Sequence, residues 1–209
     1  MEVQIMGFGV LIDIAGSMII GGIILIMIGD INTSIAEHNF DRNEDLRSSF
    51  NLTHTAGILE NELRNIGYSA DYLSDPKTTD LILLADTSRI KFLYDYDMNK
   101  VLDTIYYYLG PKEELSSTPN PDDCYIYKKI NNRTPVRIAS GVTKFRFEYF
   151  NANGSVLNTP VALKNDIVAF QVSLNIASAE KRQERYTRDP YPQEYWRSTT
   201  VTARNLDKR

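Results

Sequence analysis

The sequence predicts an α+β fold in which a long N-terminal helix, half membrane-spanning and half amphipathic, packs on an antiparallel β-sheet. Three observations support this fold class. Residues 8–28 form an apolar run with a single charge, and a later stripe of apolar residues repeats with the period of a helix. The remainder of the chain alternates polar and aromatic residues in short runs, which is typical of strands with one buried face.

Composition excludes several classes of function. The chain has 209 residues, with 23 Lys and Arg against 27 Asp and Glu, so its net charge is −4. Mild acidity argues against binding nucleic acid by bulk charge, and we predict no nucleic-acid partner. Cys124 is the single cysteine and the histidines are two, so neither a disulfide framework nor a Cys- or His-rich metal centre is expected.

No catalytic signature is found in the sequence. It contains no GxSxG elbow, no P-loop and no dinucleotide-binding fingerprint. We therefore predict that the protein is not an enzyme, and we predict no cofactor, no metal and no small-molecule substrate.

The N-terminal segment has the length of a membrane span. The run FGVLIDIAGSMIIGGIILIMI covers 21 residues, which is about 31 Å of helix and matches the hydrocarbon core of a bilayer. A cleaved secretory signal is disfavoured, because residues 1–7 contain no basic residue and the apolar run is too long. Residues 1–7 are predicted to be a short leader-like segment and 8–29 a helix that spans the membrane or forms a filament core. Two alternatives remain: a plain single-span anchor, or an anchor that also packs against copies of itself or relatives.

One acid and several small residues bear on that choice. Asp13 costs about 2.5–3.5 kcal/mol within a bilayer unless it is partnered. It either lies near the membrane edge and reaches the headgroups, or it meets a positive group on a neighbouring subunit. Gly16, Gly21 and Gly22 would allow close approach of another helix, and the adjacent pair would also weaken the helix as a hinge.

Residues 30–67 are predicted to continue the helix as an amphipathic segment. Its apolar stripe is spaced 4, 3, 4, 3 and is expected to pack on the sheet; its members are Leu52, Ala56, Leu59, Leu63 and Ile66. Leu46 and Phe50 are expected to extend the stripe towards the N-terminus, and Glu62 is expected on another face. Gly67 is expected to end the helix. Alternatively, residues 32–34 cap a second helix after a short break.

Residues 68–209 are predicted to form an antiparallel sheet domain. Strands are expected at 81–86, 89–97, 104–110, 124–130, 142–150, 166–176 and 199–206, with surface loops at 111–123 and 179–195. Four aromatic residues near the second loop either form a contact surface or fold onto their own sheet; they are Tyr186, Tyr191, Tyr195 and Trp196.

Residues 95–99 place oxygen-bearing side chains at alternating positions, with Asp103 further on, as calcium-binding loops do. However, Lys100 stands where such a loop requires Gly, and Tyr106 stands where it requires Glu. The sequence therefore favours a polar hairpin turn at 95–99 over a metal site.

The order of elements, together with two motifs, resembles the type IV pilin superfamily. Gly7 and Phe8, followed by GVLIDIAGSMIIGGIIL, resemble the start of its members, and LENELRNIGYSAD at 59–71 resembles the end of the long helix in W-type minor pilins and J-type pseudopilins of type II secretion. The resemblance implies that a prepilin peptidase cuts between Gly7 and Phe8 and methylates the new amine. In this family an acid at the fifth mature position pairs with a neighbour's amine; here the acid, Asp13, would be the sixth.

This resemblance implies a structural function. The chain would be a minor pilin or pseudopilin of a type IV pilus or type II secretion-type filament, assembling through its hydrophobic helix with other pilin-like subunits. It would lie in the inner membrane as a single-pass protein and, after assembly, in an extracytoplasmic filament at the cell surface. The alternative is a membrane-anchored extracytoplasmic binding or adhesion module with a simple single-span anchor.

Overall fold

The computed structural model describes residues 2–70, 80–179, 191, 193–197, 201–202 and 206, and only the backbone for 2–8 and 193–197. The chain forms two compact units, Met1–Asn43 and Glu44–Arg209. One helix, α1 (Glu2–Arg64), accounts for the described part of the first unit and begins the second.

Helix α1 is unbroken over its 63 residues. The alternative of a second helix capped at 32–34 is not realised, since the Thr33 hydroxyl donates to the Gly29 carbonyl at 3.1 Å inside the helix. The hydroxyl thus bonds to the preceding turn of a continuous helix, and it does not cap the N-terminus of a new one. Within the described residues, α1 is the one helix with the length and composition to cross a membrane.

The end of α1 is set by a glycine. After the turn at 65–67, Gly67 has a φ of +74° and its N–H donates to the carbonyl of Leu93 at 2.8 Å. A left-handed φ is readily adopted by glycine because it has no Cβ. The chain thereby leaves the helix and hydrogen-bonds to the sheet at once.

Nine strands are seen in the described residues, and every pairing among them is antiparallel. They are β1 (Ile82–Ala85), β2 (Arg89–Tyr94), β3 (Asp103–Leu109), β4 (Cys124–Ile130), β5 (Val136–Phe150), β6 (Val156–Leu157), β7 (Ala169–Ala177), β8 (Gln193–Arg197) and β9 (Val201–Thr202). The order across the sheet is β1-β2-β3-β4-β5-β7-β8, with β6 on β5 and β9 on β7. The predicted α+β fold is confirmed, and the architecture is pilin-like.

Strand alternation decides which face of the sheet is buried. In β5, Phe145, Phe147 and Tyr149 are buried, whereas Lys144 and Arg146 are exposed. Polar and aromatic residues of a strand point to opposite faces, so the aromatic side enters the core. Five large side chains are almost fully buried there: Phe92, Tyr107, Phe147, Tyr149 and Phe170.

The sheet is covered by one face of α1 in the second unit. All five residues of the predicted stripe are buried, from 8% exposed to fully enclosed, and four of them belong to the core cluster. The expected extension of that stripe is wrong: Leu46 is 61% exposed and Phe50 is 73% exposed. Phe50 precedes Leu52 by two residues, which is about 200° around a helix, so it lies on the opposite side. Ser48, four residues before Leu52, is buried instead.

The expected loop at 179–195 is also wrong at its end. Residues Gln193–Arg197 form β8, which pairs with β7 from Ser173 to Ala177. The sequence there lacks an alternating pattern, but the N–H and C=O groups at this side of β7 need hydrogen-bond partners, which β8 supplies.

Candidate functional site

The apolar part of α1 is exposed on all sides. The large apolar side chains between residues 10 and 28 are 49% to 74% exposed; they are Val10, Leu11, Ile12, Ile14, Met18, Ile19, Ile20, Ile23, Ile24, Leu25, Ile26, Met27 and Ile28. A helix that is apolar around its whole circumference is stable only in an apolar environment, either lipid or other apolar helices. This segment is therefore the first candidate surface for assembly.

Asp13 interrupts that apolar surface. The Ser17 hydroxyl donates to the backbone carbonyl of Asp13 at 2.7 Å, so it does not serve the carboxylate. Among the described residues the Asp13 carboxylate has no ion pair, and the first basic residue along the chain is Arg42. An unpaired carboxylate at this position would be costly in an apolar environment.

The three glycines singled out from the sequence have open surroundings. A Cβ built on Gly16, Gly21 or Gly22 would meet no atom within 4 Å. Their small size is not needed for packing inside this chain, and α1 stays helical through the Gly21-Gly22 pair. Such positions allow the backbone of another helix to approach closely.

Gly7 and Phe8 lie in α1, and the structure describes only their backbone. Cleavage between them remains a prediction.

A buried ion pair joins α1 to the sheet. The Glu62 carboxylate pairs with the Lys128 ammonium, and the two side chains are 9% and 10% exposed. The Tyr107 hydroxyl donates to the other Glu62 oxygen. Each charge is thus satisfied by a partner within the core, which is the condition for burying an ion pair without a large penalty.

Sequence reasoning placed Glu62 on another face of the helix, and that placement is wrong. Glu62 is three residues after Leu59 and four before Ile66, so it shares their side of α1. Lys128 follows Ile126 by two residues in β4 and therefore also points inward. The helical spacing of Glu62 and the alternate position of Lys128 in its strand are the sequence features from which both could have been predicted to point into the core.

Burial raises the pKa of two tyrosines around this ion pair. Removal from water, together with the nearby Glu62 charge, raises the pKa of Tyr107 well above its ordinary value. The same two causes raise the pKa of Tyr94. The Lys128 ammonium lies 4.3 Å from the centre of the Tyr96 ring, which adds a cation–π contact. Both core hydroxyls thus stay neutral at physiological pH.

The aspartate cluster at the β2–β3 turn consists of Asp95, Asp97 and Asp103. One carboxylate oxygen of each lies within 4.8 Å of the others, a spacing that would allow a metal ion. However, Asp95 accepts hydrogen bonds from the backbone N–H groups of Asn99 and Lys100, each at 3.0 Å. These bonds are those of a polar hairpin turn, as the sequence predicts.

Of the four aromatic residues near the C-terminus, the structure describes Tyr191 and the backbone of Tyr195 and Trp196. Tyr186 lies outside the described residues. The Tyr191 hydroxyl donates to the carbonyl of Pro119. Tyr195 and Trp196 belong to strand β8, opposite Asn175 and Leu174 of β7. The expectation that all four share a loop is therefore wrong for the last two.

Cys124 opens β4 and is buried. Burial raises the pKa of its thiol, which disfavours the reactive thiolate. The thiol thus packs as a small apolar group, in line with its sequence context.

Comparisons of the chain with family models, with curated proteins and with solved structures give no match.

Proposed function

We propose that this protein is a structural subunit of a type IV pilus or type II secretion-type filament, of the minor-pilin or pseudopilin kind. One observation carries the proposal: a single unbroken helix has an exposed segment that is apolar except for Asp13 and, further along, a stripe buried under a β-sheet. The second part holds the folded domain, and the first part has no role in that domain's core. The role proposed is assembly, and it involves no catalysis.

The apolar segment serves two environments in turn. As a single-pass anchor in the inner membrane, it contacts lipid. In the filament, the same side chains contact the apolar helices of other pilin-like subunits, so lipid contacts are exchanged for helix contacts. Gly16, Gly21 and Gly22 permit close packing at that stage, because no side chain of this chain occupies the space beside them.

Asp13 provides the specificity of this exchange. An unpaired carboxylate in hydrocarbon is costly, and a partner's amine would remove that cost in the filament. The amine would be the methylated N-terminus of a neighbouring subunit, if processing between Gly7 and Phe8 follows the pilin pattern. The sheet domain would then lie at the extracytoplasmic surface.

Photo-cross-linking tests the partner of the apolar segment. A photoreactive phenylalanine analogue replaces Ile19, which is 64% exposed, in cells that express the full chain. We expect covalent adducts with other pilin-like chains. A matched probe at Leu163, which is 70% exposed in the sheet domain, controls for random collision. Adducts with lipid alone at Ile19 would overturn the proposal.

Replacing the span separates this function from that of a tethered binding module. Residues 9–28 are exchanged for an unrelated apolar span of equal length. A filament subunit loses its place in sheared surface filaments, whereas a tethered binder keeps its activity at the membrane.

Mass spectrometry of the mature N-terminus complements this test: a methylated Phe8 supports the pilin pathway, and an intact Met1 favours a plain anchor.

A further inference from the structure

The face of the sheet opposite α1 has two rows of tyrosines that end in cations. Cross-strand pairing places Tyr106 between Lys91 and Lys129 in the first row. In the second row, Tyr108 pairs with Arg89 on one side and with Tyr127 on the other, and Tyr127 pairs with Arg137. These seven residues are called the tyrosine rows. The members on β2, β3 and β4 alternate along their strands with buried core residues, so they form the outer face, and Arg137 of β5 is exposed.

The tyrosine rings in these rows cover one another. The ring centres of Tyr106 and Tyr108 are 4.8 Å apart with planes inclined by 24°, and those of Tyr108 and Tyr127 are 5.3 Å apart at 17°. The stacking covers both ring faces of Tyr108 and one ring face each of Tyr106 and Tyr127. The Tyr127 hydroxyl is already engaged, because it donates to Glu114 and accepts from Arg137 Nε at 3.1 Å. The hydroxyl groups that this surface offers to a ligand are therefore those of Tyr106 and Tyr108.

The tyrosine rows are positively charged although the chain is acidic. They contain four cations, and two carboxylates bond to members of the rows: Asp86 pairs with Arg89 at 2.7 Å, and Glu114 accepts a hydrogen bond from the Tyr127 hydroxyl. The rows together with these two carboxylates thus have a net charge of +2, against −4 for the whole chain. Lys91 and Lys129 make no ion pair within the described part of the chain. These two lysines are available to an anion.

We propose that the tyrosine rows bind an acidic polysaccharide. Lys91 and Lys129 are two strands apart, about 9.6 Å, so they suit anions that repeat along a polymer. The Tyr106 hydroxyl, which lies between them, can hydrogen-bond a sugar hydroxyl, and the lysines bind the sugar carboxylates. Single-stranded nucleic acid is the weaker candidate, because its bases bind by stacking on open ring faces, and the stacking within the rows already covers both faces of Tyr108 and one face each of Tyr106 and Tyr127.

The test measures binding of the full chain, held in detergent micelles, to polygalacturonate as the carboxylated probe. We expect saturable binding that weakens with salt, and much weaker binding to neutral dextran. The double variant Lys91→Gln and Lys129→Gln is expected to bind polygalacturonate about tenfold more weakly. A matched double variant, Lys100→Gln and Lys164→Gln, removes the same charge outside the rows and is expected to stay within about twofold of the wild type.

A third variant separates the hydroxyls from the charges. Tyr106→Phe keeps the ring stack and both lysines and removes one hydroxyl, and we expect about threefold weaker binding. Equal losses in the two lysine variants would overturn the proposal in favour of bulk charge. Tighter binding to poly-dT than to polygalacturonate would replace it with a nucleic-acid site, and no saturable binding to polygalacturonate would refute it. None of these outcomes bears on assembly through the apolar segment.

Discussion

Residues 9–28 and 52–64 belong to the same unbroken helix, yet their leucines lie in opposite environments. Leu25 is 71% exposed and Leu63 is fully buried. In the first stretch apolar residues surround the helix, whereas in the second they form one stripe with Glu60 and Arg64 on the solvent side. The width of the apolar surface, rather than the presence of leucine, distinguishes a helix that needs an apolar solvent from one that needs a sheet.

The acidic residues of the two stretches also differ in their ion pairing. Glu62 is buried and is neutralised by Lys128 and Tyr107 of the same chain. Asp13 has no such partner among the described residues. The folded domain thus pairs its buried charge internally, whereas a partner for the Asp13 carboxylate in another molecule is part of the proposed function. Each stability measurement below uses the full chain in detergent micelles.

Glu62→Ala should lower the free energy of unfolding of the sheet domain by about 3–5 kcal/mol, because the Lys128 charge is then buried without a partner. Urea unfolding followed by intrinsic fluorescence measures this loss. Asp13→Ala, as the control in the other stretch, should leave the transition unchanged. The double variant Glu62→Met and Lys128→Met should recover most of the stability; failure to recover it would show that packing, not charge, dominates at this position.

Leu63→Ala should cost about 3 kcal/mol, since it removes a fully buried side chain and leaves a cavity. Leu25→Ala is the matched control and should not move the urea midpoint, because Leu25 contributes nothing to the sheet domain's core. A comparable loss of unfolding free energy in both variants would mean that Leu25 also contributes to the stability of the sheet domain, which would contradict this prediction.

Gly141→Ala should destabilise the sheet domain by about 2 kcal/mol. Gly141 has a φ of +72°, and an added Cβ would lie 2.7 Å from the Ala177 carbonyl oxygen. Gly154→Ala shares the positive φ but has open space, so it should cost only about 1 kcal/mol. Gly21→Ala should leave the sheet domain unaffected. Differential scanning calorimetry ranks the three, and an unstable Gly21 variant would contradict the expected order.

Stability should fall at alkaline pH through the buried tyrosines. The pKa of Tyr107 is raised above its usual value of about 10, so the unfolded chain loses this proton first. The stabilisation is complete below pH 10 and declines above it, by up to about 1.4 kcal/mol per pH unit for one tyrosine. Tyr107→Phe should make this decline less steep without abolishing it, because burial also raises the pKa of Tyr94 and Tyr149; an unchanged slope, measured by urea unfolding between pH 9 and pH 11, would contradict the prediction. The N-terminal stretch has no tyrosine, so the effect reports on the sheet domain alone.

Local periodicity explains which parts of the fold the sequence could predict. The 4, 3, 4, 3 spacing from Leu52 to Ile66 and the strict alternation around Phe147 each reflect a side chain's direction within one element. The expectation failed at Phe50, where the pattern changed phase, and at β8, whose pairing depends on the neighbouring strand β7. Single-element patterns contain no information about partners in another element.

The candidate surfaces likewise differ in whether the sequence alone could predict them. The apolar segment was evident from the sequence because its property is composition along one helix. The Glu62 and Lys128 pair and the tyrosine rows were not, because they combine residues up to 66 positions apart. Strand register alone places Tyr106 between Lys91 and Lys129.

By itself, the sequence determined that a long helix precedes an antiparallel sheet, that residues 8–28 require an apolar environment, and which stripe of the helix covers the sheet. Hydrophobic periodicity suffices for these features, since apolar burial depends on local side-chain direction. Tertiary structure alone decided that Glu62 is neutralised inside the core and that cations flank tyrosines across the outer face. Both depend on the register between elements, which is set by the packing of the whole domain.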